Sequence, residues 1–233
     1  MAITVCGVER HDYEDEIFRH HLVGLTMAER GLLHTALHLV KIFHNGQVRD
    51  SGEPYDRHVL TTADKVRQAD YDLLTVVEAL LHDAIEDCKT PETDVEGIIR
   101  AELGEFGSLV ADDILVVTKA YGGENQAPKI LLAAQSGRWR PAVIKLYDRE
   151  DNVDTIDGLR HKQTGTPNIP RIVHKLEETR DQILPCLTEC ALYVPEVHRP
   201  AYHEACARLS EKTGLKLAQY RNYNSPQLAL DPP

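Results

Sequence analysis

Apolar residues recur at three- and four-residue intervals along nearly the whole chain, and the strict alternation that marks half-buried strands is scarce. The spacing predicts a helix over Met27–Phe43, with Leu32, Leu33, Ala36, Leu37, Val40 and Phe43 facing inward. Gly46 and the Ser51-Gly52-Glu53-Pro54 cluster then break it. Helices are expected next over 58–68 and 72–87, the second with Leu73, Val77, Leu80, Leu81, Ala84 and Ile85 as its inward stripe. Thr90 puts a capping oxygen just before Pro91, a good helix start, and that helix should end near Leu103-Gly104. A helix over 106–119, a loop at 121–125 and a short helix over 128–135 follow, and Pro141 opens the helix that carries Asp148. After a loop at 164–170 a helix begins near Pro170, with Ile172, Leu176, Ile183 and Leu187 inward and a bend at Pro185. A connector at 193–200 and a helix over 201–220 lead to a proline-rich tail expected to be mobile. The expected fold class is all-α.

A chain of 233 residues suffices for one well-buried domain with an appendage. No apolar run reaches membrane-spanning length, and the opening residues have neither a basic start nor a long apolar core, so neither a membrane span nor a signal peptide is expected. The five cysteines, Cys6, Cys88, Cys186, Cys190 and Cys206, lack framework spacing. Cys186 and Cys190 read as core packing rather than a zinc site, and a reducing cytoplasm is the consistent compartment. Acidic side chains outnumber basic ones, 37 to 26, for a formal charge of −11. That excludes extended nucleic-acid binding, which needs a basic face to displace counterions. A polyphosphate ligand would need a metal and a few local cations against this background, and Arg49, Lys119, Lys145, Arg149, Arg160 and Lys162 lie near the informative stretches.

The informative residues are His58, the doublet His82-Asp83, and Asp148. Two imidazoles and two carboxylates suit a hard or borderline divalent cation, with oxygen tilting the choice toward Mn or Mg. On a continuous helix Glu86, four residues after His82 and three after Asp83, shares their face. A spare carboxylate one turn from a metal pair is what deprotonation of a metal-activated water requires. Asp148, Asn152 and Thr155, spaced i, i+4 and i+7, are expected along one helical face. The bland reading is a solvated polar face with a helix-end His-Asp pair. His20, His21, His34, His38 and His44 lack carboxylates at ligand spacing and read as surface or satisfied core residues. Gly122-Gly123 reads as a loop device, and Cys88, beside Glu86-Asp87, has a disfavoured thiolate.

In order, His44 to Arg49, Ser51 to Tyr55, His58, His82 to Asp87, Phe106-Gly107, Val117 to Lys119, and Asp148-Arg149 with Asn152 closely resemble the hydrolase domain of RelA/SpoT-type proteins. Those are HD-superfamily enzymes that degrade guanosine tetraphosphate and pentaphosphate. The resemblance spans roughly 28–187. It implies an HD-domain helical bundle over 28–187, an N-terminal extension over 1–27, and a C-terminal helical extension and tail over 188–233. It further implies His58, His82, Asp83 and Asp148 as ligands of one divalent cation, usually manganese, with Glu86 and Asp87 serving the attacking water. Arg49, Ser51, Asn152 and Thr155 would hold the nucleotide, with Lys119 near its phosphates. The implied reaction removes the 3′-pyrophosphate of (p)ppGpp, leaving GDP or GTP. Too little chain follows Leu187 for the family's synthetase domain, so a stand-alone small alarmone hydrolase is expected. Two departures stand out: Asp50 where a basic residue is common, and Glu150-Asp151 where the family often carries an apolar residue and histidine. Alternatives are an HD phosphohydrolase of another nucleotide, such as the 2′-phosphate of NADPH or a deoxynucleotide, and a non-catalytic alarmone-binding regulator. Oligomeric state, a toxin or synthetase counterpart and an antitoxin role are not legible in the residues.

Overall fold

Thr26 opens the first helix with a reciprocal cap: its hydroxyl accepts from the Glu29 amide at 3.3 Å, and the Glu29 carboxylate accepts from the Thr26 amide at 2.7 Å. The computed structural model describes residues 24–88, 93–119, 126–161 and 164–223, excepting the side chains of 222 and 223. Helix α1 (Met27–Phe43) buries Leu33, Ala36, Leu37, Leu39, Val40 and Phe43, close to the expected stripe. A polar turn follows, closed by the pairing of Val48 with Pro54, where the Arg49 amide donates to Glu53 O at 2.8 Å. Pro54 then caps α2 (Tyr55–Gln68), which starts three residues earlier than expected and sets His58 in its first turn.

The single helix expected over 72–87 is two, α3 (Leu73–Leu81) and α4 (Ala84–Asp87). The break falls on the His82-Asp83 doublet. His82 Nδ1 lies 2.8 Å from Ala79 O, the carbonyl that the Asp83 amide would take in an uninterrupted helix. Nor is α3 amphipathic, since every residue from Thr75 to Leu81 is buried.

The expected helix start at Thr90-Pro91 lies outside the described residues; α5 (Val95–Glu102) is capped by Asp94, whose carboxylate accepts from the Gly97 amide at 2.8 Å. A 3-10 turn (Gly104–Phe106) leads into α6 (Gly107–Val117), so Lys119 lies beyond the helix expected to contain it. Gly107 is required there, because a Cβ would sit 2.2 Å from the Arg100 carbonyl oxygen. Residues 121–125 lie outside the described residues. Helices α7 (Ala127–Gln135) and α8 (Arg140–Asp154) follow, and α8 is buried from Pro141 through Asp151. The expected bend at Pro185 appears as a π-helical turn, Thr179–Ile183, joining α9 (Ile169–Glu178) to α10 (Leu184–Cys190). Proline offers no amide hydrogen and crowds the carbonyl four residues back, and the wider turn relieves both. Helix α11 (Arg199–Tyr223) closes the described structure; the tail beyond it and residues 1–23 lie outside.

The fold is an all-α bundle, and the only extended pairings among the described residues are Val48 with Pro54 and Arg160 with Pro167. Helix α8 is its axis, packed on α2, α3, α6, α7 and α11. Tyr202, Leu209 and Leu217 of α11 join the same core, as do Cys186, Cys190 and Cys206, which are free thiols.

One core group gives a test of stability. Glu78 on α3 is completely buried; burial pushes its carboxyl well above the usual range and Asp113 adds to that, against the pull of Arg140. The fold therefore holds Glu78 protonated, whereas the unfolded chain ionises it near about 4.3. Its contribution is fully present below that value and is lost as pH rises through the folded-state value. Glu78→Gln is expected to raise Tm at about pH 8 by a few degrees, at about 2–4 °C per kcal/mol for a chain this size. Near pH 4 the gain should vanish in calorimetry; an equal gain at both pH values contradicts the assignment.

Candidate active site

His58 from α2, His82 from the α3–α4 break and Asp148 from α8 converge, with one ligand atom of each within 4.8 Å of the others. His58 Nε2 is 3.3 Å from Asp148 Oδ1, and His82 Nε2 is 3.7 Å from the same oxygen. Asp83 reaches the same centre, its Oδ1 3.2 Å from His82 Nε2 and its Oδ2 3.6 Å from His58 Nε2. Both rings are tied back through Nδ1, His82 to Ala79 O at 2.8 Å and His58 to Asp151 Oδ2 at 2.7 Å. With a proton on each Nδ1, both Nε2 lone pairs face the centre. His82 Nε2 is buried without a hydrogen bond, which is costly in a metal-free protein. Buried imidazole nitrogens facing carboxylate oxygens fit a divalent cation, and this cluster is a candidate site for one.

The charges agree. Burial works against the imidazolium of His82, yet Asp83 and Asp148 outweigh it and bring the ring up to about 9. His58 is raised likewise, against burial, by Asp148 and Asp151. Burial opposes ionisation of Asp148, but Lys145 at 3.0 Å and the two histidines hold it well below the usual carboxylate range. The centre is built for positive charge.

Glu86 and Asp87 line the same cavity. Glu86 Oε2 accepts from the Lys119 amide at 2.9 Å. Asp87 is bridged to Asp83 by Tyr55, whose hydroxyl is 2.8 Å from Asp83 Oδ2 and in short contact with Asp87 Oδ2. Burial, then the charges of Asp83 and Asp87, push the Tyr55 phenol far up, so it stays a neutral donor. Its ring stacks on buried His44, with centroids 4.7 Å apart.

A cavity of about 420 Å³ opens beside this centre, and Arg49, Ser51, Lys119, Asn152 and Thr155 all line it. Arg49 Nη2 donates to Asn152 Oδ1 at 2.7 Å and Nη1 to Thr155 Oγ1 at 3.4 Å. Thr155 is not on the helix, as its spacing suggested; it caps the C-terminus of α8, where its hydroxyl donates to Asp151 O at 2.9 Å. Ser51 Oγ is buried without a hydrogen bond, and its Cβ would be 2.7 Å from any Cβ at position 158, which is glycine.

Sequence reasoning named Lys145 and Asp151 without placing them, Lys145 against Asp148 and Asp151 against His58, although each lies one helical turn from Asp148. It gave Tyr55 no role and missed Lys175; tertiary packing brings both in. Of the six basic residues singled out, Lys119, Lys145 and Arg149 line the cavity, with Arg49; Arg160 does not, and Lys162 lies outside the described residues. Of the acidic departures, Glu150 and Asp151 do not line the cavity, whereas Asp50 does. Asp50 pairs with Arg171 at 2.6 Å, and Glu150 faces Arg208 at 3.1 Å and Lys212 at 2.9 Å on α11.

Lys119, Arg149, Arg171 and Lys175 form a cationic cluster in the same cavity, with Arg149 paired to Glu178 at 3.1 Å and Arg171 to Asp50. Burial, then the charges of Lys119, Arg149 and Arg171, bring the Lys175 ammonium down to about 8. An anionic ligand favours its charged form, so binding should be stronger below that value and weaken as pH rises through it. KM for an anionic substrate is expected to climb between about pH 7 and pH 9, and Lys175→Met should remove that rise. An unchanged pH dependence in the variant would contradict the assignment.

A family model described as HD domain matches residues 36–169. A guanosine-3′,5′-bis(diphosphate) 3′-pyrophosphohydrolase of Vibrio cholerae is 32% identical over 178 residues, 72% of this chain and 21% of that protein. The bifunctional (p)ppGpp synthase/hydrolase SpoT of Escherichia coli is 33% identical over 119 residues, 50% of this chain and 17% of its own. A GTP pyrophosphokinase of Streptomyces coelicolor is 30% identical over 131 residues, 55% of this chain and 15% of that one. The chain thus spans between 15% and 21% of these relatives' length. A solved structure, described as a metazoan ortholog of SpoT that hydrolyzes ppGpp, covers 86% of this chain and 97% of its own at 21% identity, with a TM-score of 0.47.

Proposed function

Because the chain belongs to the HD-domain family, we propose that it is a metal-dependent phosphohydrolase that removes the 3′-pyrophosphate of guanosine tetra- and pentaphosphate, leaving GDP or GTP. One observation carries this reading: a cavity of nucleotide size joins a buried His/Asp centre to a cluster of lysines and arginines. A metal donor set and a cluster of cations lining one cavity suit a nucleotide carrying several phosphates.

His58, His82, Asp83 and Asp148 would hold the cation, manganese by the family resemblance. When bound, such an ion supplies Lewis acidity toward a phosphoryl oxygen and lowers the pKa of water. Lys145 keeps Asp148 ionised for that duty. Glu86 and Asp87, at the cavity wall, take the proton of the attacking water or orient it. Tyr55, fixed on both acids, sets Asp87 relative to Asp83. Arg49, Ser51, Asn152 and Thr155 hold the nucleoside end. Lys119, with Arg149 and Lys175, faces the phosphates and offsets charge on the departing pyrophosphate.

In this reading residues 28–187 are the catalytic unit, and helix α11 (Arg199–Tyr223) of the C-terminal addition packs on it. No helix among the described residues is long and apolar enough to cross a membrane. With free thiols in the core, we place the protein in the cytoplasm. Its ligand is a small nucleotide rather than extended nucleic acid.

Side-by-side turnover of guanosine tetraphosphate, a 2′-phosphorylated dinucleotide and a deoxynucleoside triphosphate, each with Mn2+, tests the substrate. The highest kcat/KM is expected for guanosine tetraphosphate. A clear preference for a nucleotide lacking a 3′-pyrophosphate would replace it, and nucleotide binding without turnover would mark a regulator. Arg49→Ala should raise KM by roughly tenfold, the scale of one lost charged hydrogen bond, with metal content unchanged.

A further inference from the structure

We infer that Asp151 is a positioning residue of the metal centre, holding His58 in the tautomer and orientation that present Nε2 as a ligand. The inference rests on the metal reading above. His58 is 3% exposed and Asp151 4%, and Asp151 Oδ2 lies 2.7 Å from His58 Nδ1. An ionised carboxylate cannot donate, so in the neutral ring the shared proton sits on Nδ1 and Nε2 is left as a lone pair. His82 has only a backbone carbonyl behind it; His58 has an anion, which holds the ring more firmly and makes it a stronger donor.

The carboxylate is itself fixed. Its other oxygen is 3.2 Å from Lys65 Nζ, which also lies 2.9 Å from Asp154 Oδ2. Asp154 is held in turn by Lys212 of α11, 2.8 Å from its Oδ1. Lys65 and Asp151 face each other across the α2–α8 contact that brings His58 and Asp148 together, so one ion pair locks both ligand helices in register. Asp151 does not itself line the cavity, though its Oδ2 also lies 3.7 Å from Arg49 Nη1.

Mn2+ affinity, measured by isothermal titration on the full chain, tests the inference. Asp151→Ala is expected to weaken binding about 10–100-fold, the scale of a lost ligand-orienting partner. Asp151→Asn, whose amide oxygen still accepts from Nδ1, should recover most of that loss. Wild-type affinity in Asp151→Ala, or an Asn variant as weak as the Ala one, would overturn it. A wild type that binds no Mn2+ would instead remove the metal reading, and this inference with it. Should the Ala variant not fold, nuclear magnetic resonance of the Zn2+-loaded wild type decides. A slowly exchanging His58 Nδ1 proton that moves upfield in Asp151→Asn is expected, and an exposed, fast-exchanging one overturns the inference.

Discussion

Replacing His82 by Ala is expected to abolish bound divalent metal and hydrolysis together. Its Nε2 is buried, makes no hydrogen bond and faces Asp83 and Asp148, the arrangement the proposed ligand role requires. Losing a partner that merely orients a ligand costs about 10–100-fold, and losing a ligand should exceed that. The substitution also leaves Asp83 and Asp148 without one of their two imidazoles, so excess Mn2+ should restore little. Metal content by atomic emission and turnover on one purified sample give the answer. Wild-type values for both would show that His82 serves the core and not a cation.

Glu86→Gln combined with Asp87→Asn should do the opposite to the metal. Neither residue belongs to the converging His58, His82 and Asp148 group, yet both line the cavity. Metal content is therefore expected to hold while kcat falls about 10²–10⁴-fold, the usual scale for a lost general base. Both substitutions keep the oxygen that accepts a hydrogen bond, from the Lys119 amide and from Tyr55, so the local fold should survive. Near-wild-type kcat, or loss of the metal, would remove these residues from the proposed roles.

Much of this was legible in the residues, and the parts that were not share a cause. The stripe of α1 and the helix over 128–135 follow local rules of period and backbone geometry, and the structure departs from them by a residue or so, while the irregularity expected at Pro185 falls upstream, over Thr179–Ile183. His58, His82, Asp83 and Asp148 stood out because two imidazoles and two carboxylates make a donor set wherever the chain brings them. Period alone failed at the doublet, where the His82 ring competes with the backbone for Ala79 O and divides the helix. It failed again on α3 and α8, buried nearly all round, which a one-sided stripe does not describe. The acidic departures looked like damage to an anion site because charge was read without geometry. Arg171, distant in sequence, neutralises Asp50 at the cavity wall, Arg208 and Lys212 engage Glu150 away from it, and Asp151 meets the Nδ1 edge of His58. The Lys175 ammonium and the Tyr55 hydroxyl reach the site only through packing of α9 and α2.

Phosphorus magnetic resonance of guanosine tetraphosphate incubated with the metal-stripped protein, before and after adding Mn2+, tests the central claim most directly. Pyrophosphate and GDP should accumulate in equal amounts only after the metal is added, and not with the His82→Ala protein. Orthophosphate as the product, or cleavage at the same rate without metal, would contradict it.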